Sequence, residues 1–180
     1  MFLDTKDYPF AAHLEANWRV ILAELQQLDN QNFFAWPEKQ YYGEGWDIFA
    51  LYTYGVPLGK NCKLCPQTAA LVKKIPGMMT AVFSRMAPGL HIAPHRGEPA
   101  GLLRYHMGLI IPPGCGLRVG PETRSVQEGG SIVFDDTTEH EAWNRSDRER
   151  IVLLVDFKSP NAKQGFTLAS MFQRLRGSKG

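Results

Sequence analysis

The sequence predicts a mainly β protein with flanking helices, its centre an all-β sandwich or barrel. From residue 80 onward, short apolar runs alternate with turn residues at regular spacing. The two longest runs, residues 102–111 and 150–157, are rich in Leu, Ile and Val and carry polar residues at a period of two. Helical periodicity is confined to residues 11–28, a short stretch from Pro66 and the tail after Pro160.

At 180 residues, 44% hydrophobic and 21% charged, the chain is most simply one domain, 1–180, with its own core. Residues 1–79 would form a helical and strand support, 80–160 the β core and 161–180 a helical tail. A net charge of +2 and no Lys/Arg block with interleaved aromatics argue against a nucleic-acid partner. No apolar run approaches the ~20 residues of a membrane span. The start also lacks the basic and apolar regions of a secretory signal, so no transmembrane segment and a cytoplasmic location are expected. Three cysteines, an odd number, suggest reduced thiols. Cys62-Lys63-Leu64-Cys65 lacks a second ligand pair; it reads as small apolar residues at a turn before Pro66 rather than half a zinc site or a redox pair.

In order, Leu14, Trp18, Ile21, Leu22, Leu25 and Leu28 make one stripe of a helix over 11–28, with His13 off it on the surface. Residues 33–36 continue the apolar character to Pro37. A strand is expected over 46–52, a loop over 55–59, and a short helix from Pro66 that Pro76-Gly77 ends. Strands then follow over 80–86, 90–94, 102–111, 117–119, 131–134, 142–144 and 150–157. Pro88-Gly89, the loop 97–101, Pro112-Pro113-Gly114, Gly129-Gly130 and Ser146-Asp147 separate them. Phe166, Ala169, Phe172 and Leu175 mark the apolar side of a basic tail helix.

Period two places Leu102, Arg104, His106, Gly108 and Ile110 on one face, and Arg150 on the face of Val152 and Leu154. If those faces line an interior, cationic groups converge there, and a buried cation needs an anion. Arg150 would then suit a bidentate carboxylate clamp. The plainer alternatives are a core His106, a rim Arg104 and an Arg150 outside its strand. His95 and His140 sit beside turns in contexts that suit metal ligation, while His91 is read as packed or surface. A nonhaem iron site commonly uses two histidines and a carboxylate. Two residues after His95, however, stands Gly97, and Glu98 is one position out of phase.

Six blocks in order carry a family resemblance: Ser84-Arg85-Met86-Ala87-Pro88-Gly89, Pro94-His95-Arg96-Gly97, Leu103-Arg104-Tyr105-His106-Met107-Gly108-Leu109, Glu128-Gly129, Phe134-Asp135-Asp136 with His140-Glu141-Ala142-Trp143-Asn144, and Arg150 with Val155-Asp156. Over about residues 80 to 160 the chain resembles the aspartyl/asparaginyl β-hydroxylases, with weaker likeness back to Glu15-Ala16-Asn17-Trp18. These are Fe(II)- and 2-oxoglutarate-dependent dioxygenases on a double-stranded β-helix, a jelly-roll, cupin-like barrel. The family lacks the usual carboxylate ligand, which accommodates Gly97. The resemblance implies that His95 and His140 bind iron and that Arg104 and His106 lie at the 2-oxo acid end of the cosubstrate. It implies further that Arg150 and Ser84 hold the distal carboxylate and that Asp136 orients iron-bound water. Leu102 stands where animal enzymes acting on protein aspartyl residues have an arginine. The Gly-x-Leu-Arg-Tyr-His run is similar to bacterial lipid A hydroxylases of the same family.

The activity so implied is hydroxylation of an unactivated C–H with O2 and 2-oxoglutarate. The carbon would be the β-carbon of an aspartyl/asparaginyl-type small-molecule, peptide or carrier-bound substrate, or else a carbon of a lipid acyl chain. Rival readings are halogenation, because the missing carboxylate leaves room for chloride, and a non-catalytic β-barrel that binds a metal or organic acid.

Overall fold

The computed structural model describes residues 1–97 and 101–160. In chain order the elements are β1 (Phe2–Leu3), α1 (Pro9–Ala16), α2 (Trp18–Leu25), β2 (Phe34–Ala35), β3 (Trp46–Thr53), β4 (Val56–Pro57), α3 (Gly59–Leu64) and α4 (Pro66–Val72). Then follow β5 (Met78–Met86), β6 (His91–His95), β7 (Leu102–Ile110), β8 (Cys115–Val119), β9 (Glu122–Arg124), β10 (Ser131–Asp135), β11 (His140–Asn144) and β12 (Arg150–Lys158). Among the described residues these strands form two sheets. One has eight strands in the order β1-β10-β7-β12-β5-β3-β2, with β4 beside β3; the other has four, β6-β11-β8-β9. The pairings between strands are antiparallel, and the two sheets make a jelly roll of the double-stranded β-helix type.

The large sheet buries apolar side chains on both faces, so it builds two cores. Ile151, Leu153, Val155 and Phe157 of β12 join Leu103, Tyr105 and Met107 of β7 under the helices, against Leu14, Ile21 and Leu25. Val152 and Leu154 face the other way, into a layer with Ile92, Leu117, Phe134 and Ala142. The alternation read from sequence in these strands is therefore the alternation between two cores.

The helix expected over 11–28 is instead two, broken at Asn17, whose φ of −108° and ψ of 9° leave the helical region. The Asn17 Nδ2 donates to the His13 carbonyl at 2.8 Å, a local bond that competes with helix continuation. The stripe survives because both helices lie on the same sheet face. The 55–59 loop contains β4 and leads into α3, which carries Cys62; Cys65 follows between α3 and α4. All three cysteines are free. Burial pushes the Cys65 thiol up to about 12, as expected of a packing residue rather than a thiolate. The short strands β1, β2 and β9 had no sequence expectation, being too brief for a period to register. The tail helix expected after Pro160 lies outside the described residues, as do residues 98–100 of the 97–101 loop.

Two polar residues lock this packing. Buried Glu24 reaches from α2 to the start of α4, accepting from the Gln67 and Thr68 backbone N–H groups at 2.8 Å each and from the Thr68 hydroxyl at 2.6 Å. It satisfies donors that the first turn of a helix leaves open, and its negative charge sits at the favourable end of the dipole. Asn144, fully buried at the end of β11, donates to the carbonyls of Met86, Ala87 and Arg148, and so ties the small sheet to the end of β5 in the large one. Glu24→Ala should lower unfolding free energy by about 1–3 kcal/mol through the orphaned donors, measured as a drop in the urea midpoint at unchanged slope.

Candidate active site

The site occupies the space between the sheets, and the register of four strands builds it. His140 of β11 is paired directly with His95 of β6, bringing their ring centroids to 4.2 Å. Each ring is oriented in the same way: His95 Nδ1 lies 2.8 Å from the Ala93 carbonyl and His140 Nδ1 2.8 Å from the Thr138 carbonyl. A carbonyl only accepts, so Nδ1 carries a proton in each ring, which leaves Nε2 as the nitrogen available to a metal. Tyr41 stacks on His95 at 4.7 Å and supports that ring from outside. Burial, reinforced by Arg104, depresses the His140 pKa to about 3, so its imidazole is neutral.

Across the cavity, β7 and β12 deliver the charged groups. Asp156 and Arg104 are register partners, and the guanidinium meets the carboxylate in a fork, Nε to Oδ1 at 2.7 Å and Nη2 to Oδ2 at 3.0 Å. Arg104 Nη1 also lies 2.8 Å from Asp136 Oδ1. Burial alone would depress Arg104, but the two carboxylates outweigh it and hold its pKa above the usual value. The Asp136 contact lacks hydrogen-bond alignment, so Oδ1 remains an open acceptor. It also sits 3.3 Å from His140 Nε2. The Asp136 carboxylate therefore lies beside the nitrogen of His140 that a metal would use.

Gly97 explains how Asp136 comes to be there. A Cβ at position 97 would fall 1.6 Å from Asp136 Oδ2, so the carboxylate from the β10–β11 turn fills the space where a side chain two residues after His95 would stand. The donor set is therefore two imidazoles with a neighbouring acid. Among the described residues no group of three His, Cys, Asp or Glu side chains is arranged to hold a metal.

Arg150 behaves differently from Arg104. It is 3% exposed, and among the described residues it has no carboxylate partner; its Nη1 contacts the Met86 sulfur at 3.2 Å. Burial lowers its pKa to about 10. His106 is buried with neither ring nitrogen hydrogen-bonded, and burial followed by the charges of Arg150 and Arg104 pushes its pKa well below the usual value. Ser84 on β5 accepts from Trp46 Nε1 at 2.9 Å, which leaves its hydroxyl proton free to donate.

Ser84, His95, Arg104, His106, His140 and Arg150 line one inner cavity. It is narrow, about 20 Å³, so a ligand entering it displaces side chains, of which the flexible Met86 thioether is the readiest to move. An outer cleft of about 390 Å³ adjoins it; His95 and Arg104 line both, and Asp136 and Asp156 line the cleft. All seven residues singled out in the sequence thus lie at this junction. Asp156 stands in the last of the six resembling blocks but had no role assigned there, and neither had Trp46 or Tyr41. Asp156 shares the period-two face of Arg150 and was legible in principle, whereas Tyr41 and Trp46 come from segments whose approach only the fold reveals. His91 is on the outer face of the small sheet, paired with Glu141 at 2.6 Å. Gly97→Ala should expel the Asp136 carboxylate from its place and destabilise the protein by about 1–3 kcal/mol, read as a lowered melting temperature.

With this geometry in view, comparison with known proteins is specific. The aspartyl/asparaginyl β-hydroxylase family profile matches residues 15–160. An ornithine lipid ester-linked acyl 2-hydroxylase of Rhizobium tropici is 40% identical over 168 residues, covering 87% of this chain and 60% of that protein. The aspartyl/asparaginyl β-hydroxylase of Homo sapiens is 35% identical over 156 residues, covering 82% of this chain and 21% of that protein. The chain thus spans less than two thirds of the length of either relative. Among solved structures, a 2OG-Fe(II) oxygenase family oxidoreductase of Burkholderia pseudomallei superposes with a TM-score of 0.57 at 14% identity, over 87% of this chain and 90% of that one. A Pseudomonas putida prolyl-4-hydroxylase gives 0.53 at 15% identity, over 82% and 88%. These two share the fold, and the profile and sequence matches give the lineage: the chain belongs to the aspartyl/asparaginyl β-hydroxylase family.

Proposed function

We propose that this chain is an Fe(II)- and 2-oxoglutarate-dependent dioxygenase that hydroxylates an unactivated C–H with O2. The observation that carries the reading is Arg150, a buried guanidinium with no anionic partner among the described residues, in the same cavity as two histidines whose Nδ1 atoms are each engaged by a backbone carbonyl. Two imidazoles side by side suit a first-row metal such as iron, and an unpaired buried cation suits a diacid. A cation at Nε2 would also meet the Asp136 carboxylate, 3.3 Å from that nitrogen. Iron held by His95 and His140 would supply oxygen activation coupled to decarboxylation of 2-oxoglutarate to succinate.

The chain's own residues supply binding and orientation. Arg150 and Ser84, on the neighbouring strands β12 and β5, would grip the distal carboxylate, with Arg150 exchanging the Met86 sulfur for a charged acceptor. Neutral His106 has an N–H to donate toward the 2-oxo acid end. Arg104 is fixed by Asp156 and holds Asp136 in place, and Asp136 can accept from a water beside the two histidines. The inner cavity excludes bulk solvent, and the outer cleft receives the substrate.

For the substrate, an aspartyl/asparaginyl-type β-carbon in a small-molecule, peptide or carrier-bound form and a lipid acyl carbon are both compatible with the chemistry. The cleft favours the acyl chain. Ile48, Ala50, Leu58, Val82 and Leu102 line it, and its guanidinium, Arg104, is already engaged by two carboxylates. No cation among the described lining residues is left for a substrate carboxylate. The name of the Rhizobium tropici relative describes the same class of chain. Mass spectrometry of an acyl lipid and an aspartyl peptide, each incubated with Fe(II), O2 and 2-oxoglutarate, decides between them by which gains one oxygen atom. Succinate formation in neither case would remove the enzyme reading.

The Arg150 pKa shift from 12.5 to about 10 corresponds to about 3 kcal/mol of unfavourable burial at neutral pH. The sign is fixed: below pH ~10 the unfolded chain accommodates that proton more readily than the fold does. Arg150→Met should therefore raise the melting temperature of the ligand-free protein while weakening 2-oxoglutarate binding at least ~30-fold, measured by calorimetry with Zn(II) in place of iron. His95→Ala and His140→Ala should each lower metal affinity by more than ~100-fold, read as metal retained after dialysis.

A further inference from the structure

We propose that the end of the large sheet where the cleft opens is a docking surface for an anionic lipid membrane. The proposal rests on the acyl-chain reading above and adds a surface that reading does not require. Between Asp47 and Glu98 the sequence contains no acidic residue, yet it carries Lys60, Lys63, Lys73, Lys74, Arg85 and Arg96, in a chain whose net charge is only +2. Arg85 is neutralised by Asp47 and Glu149. The four lysines are exposed and form no ion pair among the described residues.

The fold gathers these lysines beside exposed apolar side chains. The hairpin of β3 and β4 ends in Tyr54, held at a left-handed φ of 53°, an unusual conformation for an aromatic residue. Tyr54 and Val56 are 49% and 59% exposed, and Leu64 at the end of α3 is 51% exposed. The hairpin tip lies against Met79 through the Gly55 N–H, which donates to the Met79 carbonyl at 2.7 Å; Met78 and Met79 directly follow the turn bearing Lys73 and Lys74. A further exposed lysine, Lys158, packs its Cβ close to Gly77 in that same turn. Lys60 and Lys63 are on α3, which begins two residues after β4. Tyr54 and Leu58 of this segment line the cleft itself.

Exposed apolar groups interleaved with unpaired lysines are the two signals that together hold a peripheral protein on a membrane. Duplex phosphates would use the lysines but gain nothing from the aliphatic Val56 and Leu64. The cleft would then open toward the acyl layer, and a chain could enter without crossing water.

The test is co-sedimentation of the full chain, without iron, with vesicles of phosphatidylcholine alone or of phosphatidylcholine with phosphatidylglycerol. Binding should need phosphatidylglycerol and weaken with added salt. Lys60→Ala with Lys63→Ala should weaken it about 25-fold, at about five-fold per lysine, and Val56→Ser with Leu64→Ser should also reduce it. None of these four residues lines the cleft, and unchanged melting curves would confirm that the variants fold. Equal binding to both vesicles, no binding to either, indifference to both pairs of substitutions, or retention by duplex DNA in place of vesicles would overturn the proposal. If lipid dispersed in detergent is oxygenated but vesicles are not bound, the surface fails while the acyl reading stands. Vesicle binding without oxygenation supports the surface and removes the acyl reading.

Discussion

The register among β5, β12 and β7 is the constraint on which the rest depends. It sets Asp156 opposite Arg104, Leu154 opposite His106, Val152 opposite Ser84 and Arg150 opposite Met86. Side chains alternate along a strand, so a slip of one residue would turn the site face toward the helices and push Leu153, Val155 and Phe157 into the cavity. Apolar burial under the helices therefore fixes where the charges go. The core of the support layer and the chemistry of the site are two consequences of one hydrogen-bonded ladder.

Within that frame the two arginines are used in opposite ways. Arg104 has two carboxylates and is part of the scaffold as much as of the site. Arg150 is held among apolar neighbours without a counter-charge among the described residues, an arrangement that destabilises the ligand-free fold and sharpens its demand for an anion. The acid closest to the histidines enters from the turn after β10, into space that Gly97 leaves open, so the same residue that withholds a third ligand makes room for a neighbouring acceptor.

Much of this was legible in the sequence, for identifiable reasons. The runs 102–111 and 150–157 are long enough for period two to be legible, and both strands appear; their faces are as expected except at the end of β7, where a register shift past Gly108 puts Ile110 with the helix-side core and Ile111 with the opposite one. The pairing of His95 with His140 is a contact between residues far apart in the chain, and the likeness to a known family, not spacing, suggested it. What escaped is of another kind. Strands of two or three residues have no period to detect. The helix break at Asn17 rests on a single side-chain bond, and Glu24 caps a helix more than forty residues away. Asp156 lay on the right face but alone signified nothing; its meaning depends on the strand beside it.

Trp36 and Trp46 stack face to face at 4.5 Å, and the indole N–H of Trp46 is committed to Ser84 on the cavity wall. Two of the chain's four tryptophans are thus coupled to the pocket itself. Their emission makes the protein its own optical gauge: any occupant that recruits the serine hydroxyl perturbs an indole directly, without a dye or a label.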